Sequence, residues 1–93
     1  MSLDLQHDET AGKYYVLVDG QEAHVTYEKV SDRTFDLHHT FVPEELRGQS
    51  IAQEMVGKVL DDIKAKGNDF IPSCPFIEAY VEKHPQYREI VAR

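Results

Sequence analysis

The stretch EELRGQSIAQEMVGKVL, residues 44–60, changes character halfway along and indicates the start of a helix. Its first residues are acidic, the central part contains the small residues Gly48 and Ser50, and apolar residues then recur with the spacing of one helical face. That face comprises Ile51, Ala52, Met55, Val56, Val59, Leu60 and Ile63. The pattern ends at Gly67, a residue suited to the left-handed position just past a helix end. The stretch therefore predicts an amphipathic helix that begins near residue 51.

Before this helix the chain is rich in β-forming residues. Asp19-Gly20 separates two such runs and predicts a tight hairpin turn, so we expect strands at about residues 14–18 and 21–30. A third run, TFDLHHTFV at 34–42, alternates in polarity. Strict alternation assigns one face to Phe35, Leu37, His39 and Phe41 and the other to Asp36, His38, Thr40 and Val42. The segment LDLQHD predicts a further edge strand, packed by Leu3 and Leu5.

After the helix, DFIPSCP predicts a short strand that ends at Pro72. Pro75 suits the first turn of a second helix, FIEAYVEKH, which closes at His84-Pro85. The expected order is β-β-β-β-α-β-α within one domain, residues 1–93. This order predicts an α+β fold of two layers: a mostly antiparallel sheet, with the long helix crossing over to the strand near residue 69.

The composition limits the classes of partner. A net charge of −7, from 17 acidic and 10 basic residues, argues against binding to nucleic acid or an anionic membrane and would favour a cationic partner. The same acid excess could serve only to keep a small domain soluble. No apolar run is long enough to span a bilayer, and the start has no basic segment followed by an apolar one, so we expect a soluble cytoplasmic protein. The single Cys74 fits a reducing compartment.

The segment RGQSIA lies between a strand end and a helix start, where a ligand could approach the backbone. Small residues expose N–H groups there, and the positive end of the helix dipole favours an anion such as a phosphate. Arg47 could add a charge-assisted hydrogen bond. Many helices nevertheless begin after such a loop without binding anything.

A family resemblance sharpens this interpretation. HTFVPEELRGQSIAQEMVGKVL resembles the coenzyme A-binding segment of the GCN5-related N-acetyltransferases (GNAT), whose pattern is Arg/Gln-x-x-Gly-x-Gly/Ala. Here that pattern falls on Arg47, Gly48, Gln49, Ser50, Ile51 and Ala52. Together with IPSCPFIEAYVEKHPQY, the segment is similar to the minimal, single-cysteine (YjdJ-type) branch of that superfamily, from about residue 39 to 91.

The resemblance implies a truncated GNAT-like fold and a specific reaction. It implies acetyl-CoA as the acetyl donor and an amine, on a small molecule or a protein, as the acceptor. The short segment between the first strands leaves no room for the helices that wall the acceptor site in larger members. We also expect the protein to be a monomer or a weak homodimer. Ser50 stands where the family has its central glycine, and a position that requires positive φ would strain it. Its hydroxyl could instead bind phosphate or cap the helix.

Three side chains are candidates for the chemistry. Cys74, which matches the proposed catalytic cysteine of the resembled branch, precedes the second helix, where the helix dipole lowers a thiol pKa; the alternative is a buried structural thiol. Tyr80 could protonate the departing thiolate, although packing against apolar neighbours would equally explain it. His39, at the family's His-Thr position, could act as a general base or simply be packed. Resemblance also suggests oxyanion donors among the backbone N–H groups near Phe41 and Val42.

Two further interpretations concern metal and the overall function. Adjacent strand residues point to opposite faces, so His38 and His39 should not chelate one ion, and we expect no metal site. The favoured function is acetyl transfer. The alternative is a non-catalytic acyl-CoA-binding or protein-interaction module that keeps the fold, consistent with Ser50 and the missing acceptor helices.

Overall fold

A computed structural model describes residues 3–92. The described elements, in chain order, are β1 Gln6–Asp8, β2 Lys13–Val18, β3 Gln21–Lys29, β4 Thr34–Phe41, α1 Ile51–Ala65, β5 Asp69–Pro72 and α2 Pro75–Lys83. Short 3₁₀ helices span Glu44–Leu46 and Pro85–Ile90. The predicted order β-β-β-β-α-β-α is confirmed, and element ends agree with the sequence pattern to within a few residues.

The five strands form one sheet in the order β1-β2-β3-β4-β5. The first four are antiparallel to their neighbours, and β5 runs parallel to β4 because α1 carries the chain back across the sheet. The predicted α+β class is therefore confirmed. The hairpin between β2 and β3 turns at Asp19 and Gly20, whose φ angles of 52° and 79° are the positive values that a tight hairpin turn requires.

A single apolar core lies between one face of the sheet and the two helices. The sheet contributes alternate residues such as Tyr14, Val16 and Val25, and α1 contributes its predicted apolar face. Leu3 and Leu5 pack against the same core beside β1, as the pattern of the first residues predicted. The opposite face of the sheet, called the outer face below, bears no helix among the described residues.

The strict alternation predicted along β4 is wrong from His38 onward. Tyr27 pairs with Leu37 and Thr26 pairs with His39, so His38 is an extra residue that opposes no partner on β3. An inserted residue of this kind is a β-bulge, which reverses the faces of the residues that follow it.

The reversal changes which side chains of β4 meet the helices. Leu37 is fully buried, but His39 and Phe41 are exposed rather than packed beside it. Thr40 and Val42 take the core side instead, and Val42 packs against the core. His38 is also exposed, so the expectation that the two adjacent histidines face opposite ways does not hold at the bulge.

The strands β4 and β5 pair over only four residues each, from Thr34 with Asp69 to Leu37 with Pro72. Pro72 has no N–H and cannot continue the ladder, as the sequence indicated. One further bond, from the Cys74 N–H to the Leu37 carbonyl at 3.0 Å, ties the start of α2 to β4. Beyond it, no other strand within residues 3–92 pairs with the end of β4 on that side, which leaves a gap between β4 and α2.

Candidate functional site

The loop before α1 contains two residues with positive φ, Gly48 at 85° and Ser50 at 61°. Glycine adopts this conformation freely, whereas serine pays a steric cost of about 1 kcal/mol or more. Ser50 therefore occupies a position of positive φ, which is the case in which we expected this serine to be strained. Its hydroxyl makes no capping hydrogen bond, so it does not offset the strain by closing the helix end.

The first turn of α1 presents unpaired backbone donors. The first intrahelical bond runs from Glu54 N–H to the Ser50 carbonyl, at 3.1 Å. Among residues 3–92, no hydrogen-bond acceptor lies against the N–H groups of Ile51, Ala52 and Gln53. Unpaired N–H groups at the positive end of a fifteen-residue helix are a favourable site for an anion.

A cavity of about 250 Å³ opens directly above these donors. The loop and the first turn of α1 form one wall, and Val42 and Phe76 form the other. The full lining is Val42, Leu46, Arg47, Gly48, Ser50, Ile51, Ala52, Gln53 and Phe76. A second cavity, of about 80 Å³, shares Gln53 and Phe76 with the first and extends between α1 and α2. Of the six residues assigned to the loop motif, only Gln49 does not line the larger cavity.

Arg47 is fixed to the end of β4. Its Nε donates to the Val42 carbonyl at 3.0 Å, while the side chain stays at the surface. The other guanidinium N–H groups have no acceptor within the described part of the chain and lie at the cavity wall. This arrangement holds the charge of Arg47 beside the helix start, where it can reinforce an anion site.

Cys74 caps the N-terminus of α2 with only 5% of its surface exposed. Its Sγ lies 3.5 Å from the Thr40 Oγ1. Burial opposes ionisation of the thiol, but hydrogen bonds from Thr40 and from the N–H groups of Ile77 and Phe76 outweigh it and lower the pKa of Cys74. The Cys74 thiol is thus both buried and favoured in its ionised form, so the two interpretations of it are compatible. Neither Thr40 nor Cys74 lines the larger cavity, but its wall residues Val42 and Phe76 each lie two residues further along the chain.

Thr40 is a site residue that the sequence analysis missed. Regular alternation assigned it to the face away from Leu37, and only the bulge at His38 turns it toward Cys74. The single signal in the sequence was its place directly after His39 in the family's His-Thr position, which drew attention to the histidine instead.

Tyr80 lies in the second cavity and is not hydrogen-bonded to Cys74. Its ring stacks on His84 with centroids 4.0 Å apart, and its hydroxyl lies against α1 at Gly57. Burial, and then the nearby carboxylate of Asp61, raise the pKa of Tyr80. These contacts show that Tyr80 packs between the two helices, and its role as a general acid stays a prediction.

The remaining predicted residues lie around the end of β4. His39 projects to the outer face, and the packed position expected for it is wrong because of the bulge. The N–H of Thr40 points to Cys74, away from β3. Since hydrogen-bonding direction alternates along a strand, the N–H of Phe41 points toward β3 and that of Val42 toward the gap. Of the two predicted oxyanion donors, only Val42 therefore faces the gap.

Residues 3–92 include neither a side-chain cluster suited to a metal ion nor a helix suited to cross a bilayer. No group of three or more His, Cys, Asp and Glu side chains in this range is arranged to hold a metal ion. No helix in the same range is long and apolar enough to cross a bilayer.

The strand order, the gap beside β4 and the exposed helix start define an acetyltransferase-like α+β domain. The chain belongs to the GCN5-related N-acetyl-transferase family, whose sequence profile matches residues 13–90. It is 32% identical over 91 residues to Protein NATD1 of Danio rerio, covering 94% of this chain and 83% of the relative. Identity to Protein NATD1 of Homo sapiens is 33% over 89 residues, covering 91% and 79%.

A solved structure supports the fold directly. The chain superimposes on the NMR solution structure of a GCN5-like protein from Staphylococcus aureus with a TM-score of 0.72 and 26% identity. The match covers 98% of this chain and 89% of that one. The predicted GNAT-like fold is confirmed, and assignment to the single-cysteine branch stays a prediction.

Proposed function

We propose that this protein is an N-acetyltransferase that moves an acetyl group from acetyl-CoA to an amine. The observation that carries the proposal is the row of unpaired N–H groups at residues 51–53, which line a cavity whose opposite wall, Val42 and Phe76, follows Thr40 and Cys74 closely in the chain. Membership of the family supports acetyl-CoA as the donor. The proposal assumes a reducing compartment such as the cytoplasm, where a lone thiol stays free.

In this proposal the segment Arg47–Ala52 binds the pyrophosphate of coenzyme A. The N–H groups of Ile51 and Ala52 donate to phosphate oxygens, and the guanidinium of Arg47 adds charge. Gly48 and Ser50 adopt the positive φ angles that shape the loop, and neither has a bulky side chain that would hinder the approach of a ligand to the backbone. The lining thus fits a phosphate group by donor type and charge.

Cys74 is the residue assigned to attack the thioester. Its thiolate forms a bond to the acetyl carbonyl carbon, the carbon–sulfur bond to coenzyme A breaks, and coenzyme A leaves as a thiolate that takes up a proton. A neutral amine then attacks the acetyl-cysteine, forms the amide, loses a proton and releases the Cys74 thiolate. The hydrogen bonds from Thr40 and from the start of α2 favour the ionised thiol that the first step requires.

Charge that develops on the acetyl oxygen needs a nearby donor. The N–H of Val42 meets this need best, because it is directed into the gap rather than into the sheet. We assign Tyr80 and His39 the subordinate roles of protonating the leaving thiolate and deprotonating the amine. Neither side chain touches Cys74, so each would act only once substrates occupy the site.

The acceptor is a cationic amine, on a small molecule or a protein. A net charge of −7 favours its approach electrostatically. The outer face bears no covering helix in the described range, which is consistent with an acceptor side open to bulky substrates.

Titration with coenzyme A, followed by amide NMR, tests the binding step. We expect shifts centred on residues 47–53 with coenzyme A, and none there with pantetheine, which lacks the pyrophosphate. Shifts that pantetheine reproduces, or no shifts at millimolar coenzyme A, would contradict the assigned phosphate site.

Intact mass and thiol release test the chemistry. Incubation with acetyl-CoA should add about 42 Da at Cys74, the mass of one acetyl group in place of a hydrogen. Cys74→Ala should bind coenzyme A as the unmodified protein does but lose amine-dependent thiol release. Binding without turnover on any panel of amines would instead select the non-catalytic acyl-CoA-binding module.

A further inference from the structure

A chain of polar side chains lies on the outer face, where β4 and β5 part. The Ser73 hydroxyl donates a hydrogen bond to Asp36 Oδ1. The other carboxylate oxygen, Oδ2, lies 3.1 Å from His38 Nε2, and that nitrogen lies 4.0 Å from a carboxylate oxygen of Glu28. Both partners of Asp36 therefore hold its carboxylate in one orientation. His38 can reach it because the bulge places that histidine on the outer face.

Ser73 is also the residue that precedes Cys74. The ladder between β4 and β5 stops at Pro72, so backbone bonds no longer hold the two segments together in register. Apart from the contact between the Thr40 hydroxyl and the Cys74 thiol, two hydrogen bonds in the described part of the chain join residues 73 and 74 to β4: the Cys74 N–H to the Leu37 carbonyl at 3.0 Å, and the Ser73 hydroxyl to Asp36. The second takes the place of the missing ladder bond.

The position of this turn matters because the donors to Cys74 come from two separate elements. The Thr40 hydroxyl contacts the sulfur from β4, and the backbone N–H groups of Phe76 and Ile77, in the first turn of α2, also favour the thiolate. The sulfur lies near both sets of groups only while α2 begins at a fixed distance from β4. A contact of 3.5 Å between Thr40 and Cys74 leaves little room for the turn to move away before that bond is lost.

We propose that Asp36 and Ser73 are positioning residues for Cys74, with His38 orienting Asp36, and that together they hold the thiol between β4 and the start of α2. Neither residue touches the thiol, and both act through the turn. The inference extends the proposed function, because positioning matters to catalysis only if Cys74 meets the thioester. The state of the thiol can be measured without any cofactor, so the two proposals can fail separately.

The test is a pH titration of Cys74 followed by the carbon-13 shift of its labelled Cβ. The chain has one cysteine, so the signal needs no further assignment, and no reagent has to enter the buried site. Ser73→Ala should raise the titration midpoint by about half a unit or more, which corresponds to roughly threefold less thiolate below the midpoint. Ser73→Thr, which keeps the hydroxyl, should restore the wild-type midpoint.

Thr34→Val is the matched control. The Thr34 hydroxyl donates to Asp69 Oδ1 at 2.5 Å, so it joins the same two strands by the same kind of bond at the opposite end of their pairing. Its loss should leave the Cys74 midpoint unchanged. Equal shifts in Ser73→Ala and Thr34→Val would overturn the proposal, because they would indicate general loosening of the strand pair.

An unchanged midpoint in Ser73→Ala would also overturn the proposal. Ser73 is exposed, so this variant should fold, and a thermal melt checks that it does. Asp36→Ala removes the acceptor of the same bond and should also raise the midpoint. A normal midpoint in a folded Asp36→Ala protein would contradict the role assigned to the carboxylate.

Discussion

A close contact between the two helices allows a sharp test of the packing. Gly57 is buried within α1, and a Cβ added there would lie 2.6 Å from the Tyr80 hydroxyl oxygen but 3.6 Å from the ring carbon that bears it. The first distance is a clash and the second is an ordinary contact. Tyr80 cannot move away freely, because its ring stacks on His84 at 4.0 Å.

The expected energies follow from these distances. Alanine in place of an interior helical glycine gains about 1 kcal/mol. Overpacking against the Tyr80 hydroxyl costs about 2 kcal/mol, within the range for an extra methyl group in a tight core. Gly57→Ala alone should therefore lower the free energy of unfolding by about 1 kcal/mol. In a Tyr80→Phe background the clash is absent, and the same change should raise it by about 1 kcal/mol.

Urea unfolding of the four proteins in this cycle measures the coupling between the two positions. We expect a coupling energy of about 2 kcal/mol, well above the error for independent sites. The reasoning is refuted if Gly57→Ala changes stability by the same amount in both backgrounds. Assays of Tyr80→Phe also test the predicted general acid, because unchanged amine-dependent turnover would leave Tyr80 a packing residue only.

Three further changes test other parts of the structure. Ser50→Gly should raise the free energy of unfolding by about 1 kcal/mol in urea melts by relieving the positive φ, and no gain would contradict the strain. Tyr14→Phe removes the bond from the buried hydroxyl to Asp62 Oδ2 at 2.8 Å and should cost about 2 kcal/mol in the same melts. Tyr15→Phe is the control, because the Tyr15 hydroxyl has no such bond to any described residue, and it should cost less than about 0.5 kcal/mol. Burial, and then the charge of a nearby lysine, lower the pKa of His7 in the folded protein. The stability that neutral His7 contributes is therefore fully present above the ordinary histidine pKa and is lost as the pH falls through the lowered pKa of the folded protein. In urea melts at decreasing pH, His7→Gln should therefore lose less of its free energy of unfolding than the unmodified protein does. An identical pH dependence in the two proteins would contradict the assignment.

Much of the candidate site could be predicted because its parts are local. The loop at residues 47–50 and the first turn of α1 form one short stretch, and the rules for helix starts apply to it directly. The same holds for Cys74, whose place at the N-terminus of α2 follows from the adjacent Pro75. The local sequence pattern was therefore enough to locate these residues, and the roles assigned to them are proposals.

The partners of these residues could not be predicted, because they come from distant parts of the chain. Thr40 and Cys74 are separated by 34 positions, and they meet only because the bulge at His38 reverses the end of β4. A bulge depends on how one strand pairs with its neighbour, which period-two alternation within a single strand does not encode. For the same reason His39 was expected on the packed side.

The sequence by itself determined the order of the elements, the hairpin at Asp19-Gly20 and the end of β5 at Pro72. Each depends on backbone preferences that a residue carries wherever it lies, such as positive φ at a turn or the missing N–H of proline. Only the tertiary structure decided that Thr40 rather than His39 faces Cys74, and that Ser73 is tied to β4. Those contacts depend on strand register and on the gap between β4 and α2, which exist only once the sheet has assembled.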